Sequence, residues 1–139
     1  MKKITLLVGC FAVLLLIQLV PVHKTNPPVT SEIVVDAPVR EIFKRSCYDC
    51  HSNETIWPWY SYVAPVSWLV VGHVNEGRGK LNFSTWDQYD ASKRRQKLAE
   101  IEEEIKNKSM PLSSYLLLHR QAGLSASDLS LITGWLMRP

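Results

Sequence analysis

S-C-Y-D-C-H-S, residues 46–52, holds two of the three cysteines and one of the four histidines of the 139-residue chain. What this cluster holds depends on the elements around it. Upstream, the pattern predicts a helix over 38–47. Pro38 suits a first turn behind Asp36 or Ala37 as cap, and Val39, Ile42 and Phe43 form its apolar face. That helix delivers the chain directly to Cys47. Downstream, E-T-I-W-P-W-Y-S-Y-V-A (54–64) is rich in aromatics, and Pro58 argues against a regular helix. Trp57, Trp59, Tyr60 and Tyr62 suit either core packing or the wall of a flat ligand. A mostly apolar helix follows over 65–75. Gly77 and Gly79 in E-G-R-G-K-L-N-F-S-T-W (76–86) read as a tight loop, and Ser84 and Asp87 as the capping box of a short helical turn.

Further on, Leu98, Ile101 and Ile105 stripe a surface helix over 92–108. Its charged faces place Glu102 before Lys106 and Glu104 before Lys108. S-M-P-L (109–112) interrupts the helical pattern, S-S-Y-L-L-L-H-R resumes it, and Gly123 ends it. Ser125 and Asp128 then form a capping box, with Leu124 and Leu129 placed as a hydrophobic staple, opening a last helix over 126–137. Leu129, Ile132, Trp135 and Leu136 face inward in that helix, and Met137 reads as packing. No strand pattern and no repeat occurs, so the expected class is all-α.

The N-terminus is a separate unit. Residues 4–22 are apolar apart from Thr5 and Gln18 and follow Lys2 and Lys3. Such a helix just crosses a bilayer, and the lysines keep its start cytoplasmic. The run exceeds a usual signal-peptide core and lacks an Ala-x-Ala site, which favours an uncleaved anchor over a cleaved signal peptide. Leu7-Val8-Gly9-Cys10 also has the form of a lipoprotein box, very early in the chain. The expected organisation is a signal anchor or signal peptide (1–22), a flexible linker with its Pro pair (23–37) and a domain (38–139) on the periplasmic side of the inner membrane. A formal charge of +3 is too small to point to nucleic acid.

Three answers compete for the cluster. Structural zinc wants two separated ligand pairs, and only Cys47 and Cys50 form a pair. A reactive dithiol wants a helix N-terminus and a fold with strands, whereas these cysteines fall at a helix end. C-x-x-C-H is the attachment signal of a c-type haem. One covalently attached haem, with Cys47 and Cys50 as thioether tethers and His51 as iron ligand, suits the motif, the export segment and the helical domain together. For the second ligand, Met110 precedes Pro111, which pushes it out of helical conformation into a defined loop pose. His73 and His119 are the alternatives. Arg78, with Asn82, Trp86 and Tyr60, is the candidate partner for the haem propionates.

The longer pattern carries a resemblance. C-Y-D-C-H-S-N, W-P-W-Y-S, A-P-V-S-W, N-E-G-R, L-N-F-S-x-W, M-P, Y-x-x-L-H and the helix with Trp135 resemble the haem-binding domain family of small cytochrome c-like proteins of the Bacteroidetes type, over about residues 38–139. The resemblance implies a cytochrome c-like helical domain around a covalent haem. In it Cys47 and Cys50 carry the haem, His51 is the proximal ligand and Met110 the distal one. Arg78, Asn82 and Trp86 would line the haem environment. Leu112 departs from the second proline many relatives have. The expected function is a monohaem c-type cytochrome, tethered to the membrane, passing single electrons between redox protein partners. The alternative is a peroxidase-like haem enzyme or haem-based sensor with an open distal site.

Overall fold

The structure is a computed structural model describing residues 2–138. Seven α-helices are described: α1 (Lys2–Leu16), α2 (Ala37–Ser46), α3 (Tyr48–His51), α4 (Val66–Lys80), α5 (Ala91–Lys106), α6 (Ser113–Leu116) and α7 (Ala126–Leu136). Short 3-10 turns stand between several of them. Among the described residues the only β pairing is an isolated parallel bridge between Ser31 and Thr85.

The core forms where α2, α7 and the segment after α4 meet. Val39, Ile42, Phe43 and Ser46 are the buried side of α2, at the spacing one helix face requires. Phe43 stacks on Phe83 (centroids 5.0 Å apart) and takes the edge of Trp135 from α7 (5.8 Å). Tyr48 stacks on the same Phe83 at 5.3 Å. Ile132 of α7 is fully buried beside them. The Ser125–Asp128 capping box that opens α7 is formed, and Asp128 also receives Arg45 of α2 at 2.8 Å. Met137, read as packing, is instead exposed at the end of α7, beyond the last turn that touches the core.

α4 departs most from expectation. It continues to Lys80, through Gly77 and Gly79, where a tight loop was expected. A glycine costs a helix about 1 kcal/mol relative to alanine. At Gly77 the compensation is proximity: a Cβ there would lie 2.5 Å from the Cys50 carbonyl oxygen. α4 packs on both α3 and the 3-10 turn Trp59–Tyr62, and at Gly77 the absent side chain serves the approach to α3 rather than a turn. The Ser84–Asp87 box does not form either. Thr85 precedes the 3-10 turn Trp86–Gln88 without a side-chain cap. Tertiary partners take both side chains: Ser84 Oγ accepts from Asn53 N (2.9 Å), and Asp87 accepts from the Thr30 hydroxyl (3.2 Å).

Residues 25–35 run extended along the domain and are bonded to it. Thr30 N and Ser31 N donate to Ser84 O, Ile33 N to Phe83 O, and Trp86 N to Ser31 O. Ile33 and Val35 are buried in the core.

α5 starts on Asp90, which accepts from Lys93 N at 2.7 Å, and buries Ile101 and Ile105. The Glu102–Lys106 pair forms at 2.5 Å. Lys108 lies past the helix end with φ 56. Its N–H donates to Ile105 O, and Ser109 N donates to Glu104 O. This is a Schellman stop with lysine where glycine is usual. The expected helix over 113–120 is shorter than predicted. α6 ends at Leu116, and His119 leaves helical conformation (φ −126, ψ 59) before the turn Arg120–Ala122.

α1 stands apart from the core. With the turn Ile17–Leu19 it makes an 18-residue stretch of mean hydropathy 1.9 with no part buried in the protein. At ~1.5 Å per residue, that is long and apolar enough to cross a membrane.

Candidate functional site

Cys47 closes α2 by donating its N–H to Phe43 O, then breaks the helix at φ −127. A second turn starts at once, with Cys50 N and His51 N both donating to Cys47 O (3.2 and 2.9 Å). Both thiols and the imidazole therefore sit on one short turn. His51 Nδ1 lies 3.0 Å from Gly77 O and 3.1 Å from Leu81 O. Carbonyl oxygens only accept, so Nδ1 carries the hydrogen and Nε2 keeps its lone pair. Burial pushes the His51 pKa down, which favours the neutral, metal-ligating form. The end of α4 thus sets the tautomer and orientation of the ring, as carbonyls that accept from the non-ligating nitrogen do for metal-bound histidines.

The thiols are not activated. Burial pushes Cys47 up to about 12, helped by the neighbouring Cys50. Burial and the Asp49 charge push Cys50 up to about 11. A reactive dithiol or a zinc thiolate pair needs the reverse. The two cysteines are not joined in a disulfide. Among the described residues no three His, Cys, Asp or Glu side chains converge as a metal-holding group. Two neutral thiols beside a neutral imidazole with a free Nε2 do fit the donor set for covalent haem.

Arg78, Asn82 and Trp86 gather behind this turn. Arg78 lies in α4, not in a loop. Its Nε donates to Ser52 O (2.7 Å), Nη1 to Thr25 O (2.7 Å), and Nη2 to Asn26 Oδ1 and Thr55 Oγ1 (3.0 and 2.8 Å). It clips the extended N-terminal segment to the residues following His51. Asn82 is buried. It donates from Nδ2 to Asn53 Oδ1, accepts from Ser84 N, and gives its own N–H to the Tyr89 hydroxyl. Trp86 belongs to the hydrophobic core, edge-on to Tyr89.

Met110 lies half-buried after the Schellman stop, its N–H directed at Glu104 O. Pro111 and α6 follow. The Tyr115 hydroxyl of α6 donates to Asp49 Oδ2 at 2.6 Å, and Asp49 Oδ1 accepts from Ile56 N. His119 stacks flat on Tyr115 (4.3 Å, 8°), and its Nε2 meets the Tyr60 hydroxyl at 2.5 Å. Burial, then the Asp49 hydrogen bond, pushes the Tyr115 pKa well up, so it donates as a neutral phenol. The chain carrying Met110 is thereby tied to the residue between the two cysteines. His73 stands exposed on α4. Of the aromatics in 54–64, Tyr60 turns inward to His119, while Trp59 and Tyr62 are exposed.

Sequence reasoning missed Gly77, Asp49 and Tyr115. The position of Asp49 inside C-x-x-C-H was the available signal for it. The i,i+4 spacing of Tyr115 and His119 hinted at their stack. Nothing local pointed to the Gly77 contact.

A helical domain presenting two neutral thiols and an oriented, neutral imidazole on one turn defines a haem-binding class. The comparison with known families agrees. The chain matches the haem-binding domain family over residues 12–138, most of its length, and belongs to that family. No curated protein and no solved structure matches it.

Proposed function

We propose that the protein is a monohaem c-type cytochrome, tethered by residues 4–22 with its domain on the periplasmic side of the inner membrane, that carries single electrons between redox protein partners. The observation that carries this reading is the pairing of His51 Nδ1 with two backbone carbonyls, which leaves Nε2 free on the turn that holds both thiols. Cys47 and Cys50 would hold haem c as thioethers, each thiol S–H adding across one vinyl group. When bound, the haem supplies a one-electron Fe(III)/Fe(II) couple.

The chain's own residues do the rest. Gly77 O and Leu81 O keep the proton on Nδ1, so Nε2 would be the ligating atom. Met110, carried by a loop with a stiff proline and tied to Asp49 through Tyr115, would be the second iron ligand. Burial keeps both thiols protonated until they are consumed. Arg78 and Asn82 are largely occupied by protein partners, which supports a role in holding the attachment turn rather than in recognising a substrate. The carrier reading is favoured over a peroxidase-like enzyme or a sensor because the candidate distal bases are badly placed. His73 is exposed, and the Nε2 of His119 is engaged by Tyr60.

The test is a pyridine haemochrome assay on full-length protein matured in a host that attaches haem c. One covalently retained haem per chain is expected. A colourless product, or haem released by acid extraction, would defeat the proposal. In the ferric spectrum, thioether ligation to iron gives a weak long-wavelength band. Met110→Ala should abolish it while the haem stays attached.

A further inference from the structure

The exit of α1 is pinned to the domain by a side chain. Gln18 lies in the 3-10 turn Ile17–Leu19 that ends the membrane-length helix. Its Nε2 donates to Ala64 O (3.1 Å), and Ala64 N donates to its Oε1 (2.9 Å). Both ends of one amide thus meet the backbone of one residue, while Nε2 also donates to Leu14 O of α1 (2.8 Å). Lys24 then places its Nζ 4.2 Å from the centre of the Tyr62 ring. These contacts hold residues 62–64 at the point where the apolar helix ends.

The surface around that point is apolar. Trp59 is 78% exposed, Tyr62 62%, Val63 45%, Val66 40% and Leu69 63%. Trp59 and Tyr62 stand three apart in the 3-10 turn Trp59–Tyr62, where such residues eclipse on one side. The two residues between them point elsewhere: Tyr60 bonds His119, and Ser61 is buried with its hydroxyl on Pro58 O. Val66 and Leu69 share a face in the first turns of α4 by the same spacing argument. The outward sides of both elements belong to one stretch of chain, and that stretch is fastened to the helix exit.

We propose that residues 59–69 form a membrane-docking surface that rests in the headgroup layer of the bilayer crossed by α1. The proposal rests on the reading of α1 as a membrane-spanning helix. Tryptophan and tyrosine favour that layer because their rings are apolar and their polar edges stay wet. Lys24 supplies a cation for the lipid phosphates, its ammonium lying over the Tyr62 ring. The patch needs little intrinsic affinity, because α1 already holds it at high local concentration against the surface. The haem domain is then presented to partners in one orientation rather than on a free tether.

The test uses the full haem-loaded chain in phospholipid nanodiscs. A photoreactive residue replaces Tyr62 or Leu69, with exposed position 103 on α5 as control. Phospholipid adducts several-fold above the control are expected at both sites. Gln18→Ala should lower the adduct at position 62 several-fold while the chain stays in the bilayer. If the chain resists alkaline carbonate extraction yet positions 62 and 69 label no more than 103, docking is overturned and the anchor stands. Release by carbonate overturns the anchor, and docking with it. Adducts to protein in place of lipid would overturn the lipid assignment.

Discussion

A single missing methyl group sets the distance between α4 and the Cys47–His51 turn. Gly77 and Gly79 are two residues apart on one helix, yet a Cβ at Gly79 meets nothing within 4 Å. The two alanine substitutions should therefore have opposite signs. Gly79→Ala should stabilise the protein by up to about 1 kcal/mol through helix propensity. Gly77→Ala must move the Cys50 backbone, and overpacking of this kind costs roughly 1–3 kcal/mol. Denaturant unfolding of the two haem-loaded variants measures both, and equal stabilities would show that the close approach is unimportant. Haem attachment should also fall in Gly77→Ala alone, since Cys50 is the residue displaced. The Tyr115 hydroxyl offers a second case. Its bond to Asp49 is charge-assisted, worth roughly 1.5–3 kcal/mol when removed from a partly buried site. With Met110 as the proposed second ligand, Tyr115→Phe should weaken the thioether band at lower temperature than in the parent, because the Met110 loop loses its tie to the α3 turn. An unchanged melting profile of that band would separate Tyr115 from the proposed ligand.

Helix ends carry most of the element-scale information. Lys108 adopts left-handed backbone (φ 56) to complete the stop of α5, which costs an L-residue about 1–2 kcal/mol relative to glycine. Lys108→Gly should raise stability by about 1 kcal/mol, read as an increase in the denaturation midpoint at constant slope. α7 depends on its capping box. The Ser125 backbone N–H is the largest influence holding the Asp128 carboxyl below its usual range, with Arg45 assisting. A carboxylate depressed in the folded state contributes stability that is present above the ordinary aspartate range and lost as pH falls through the folded value. Stability should therefore decline below about pH 4, and Asp128→Asn should flatten that limb of the pH profile while lowering stability at neutral pH. α2, α5 and α7 were legible beforehand because their caps and apolar stripes are local in sequence. α4 was cut short because glycine is a turn signal in isolation, and its role here comes from a neighbour 27 positions away at Cys50.

Across the whole molecule, the segment before α2 behaves as part of the domain. Ile33 and Val35 are buried, and Arg78 and Asn53 spend donors on residues 25–28. Burying two such side chains contributes about 1.5–3 kcal/mol each. A chain beginning at residue 37 should thus be several kcal/mol less stable than one beginning at residue 23, by thermal or denaturant unfolding. Equal stability would show that the segment is dispensable.

Local signals were enough for an all-helical class, a membrane-length N-terminal helix and the C-x-x-C-H turn, because caps, 3.6-residue periodicity and motif spacing act within a few residues. They also singled out the two cysteines and the histidine of that turn. They could not orient that histidine. Its tautomer is set by the carbonyls of Gly77 and Leu81, groups every residue carries and no sequence pattern marks. Nor could they reveal that Gly77 makes room for Cys50, that Tyr115 reaches Asp49, or that Gln18 clasps Ala64. Each of these depends on through-space proximity between parts of the chain far apart in sequence, and only packing of the helices decides it.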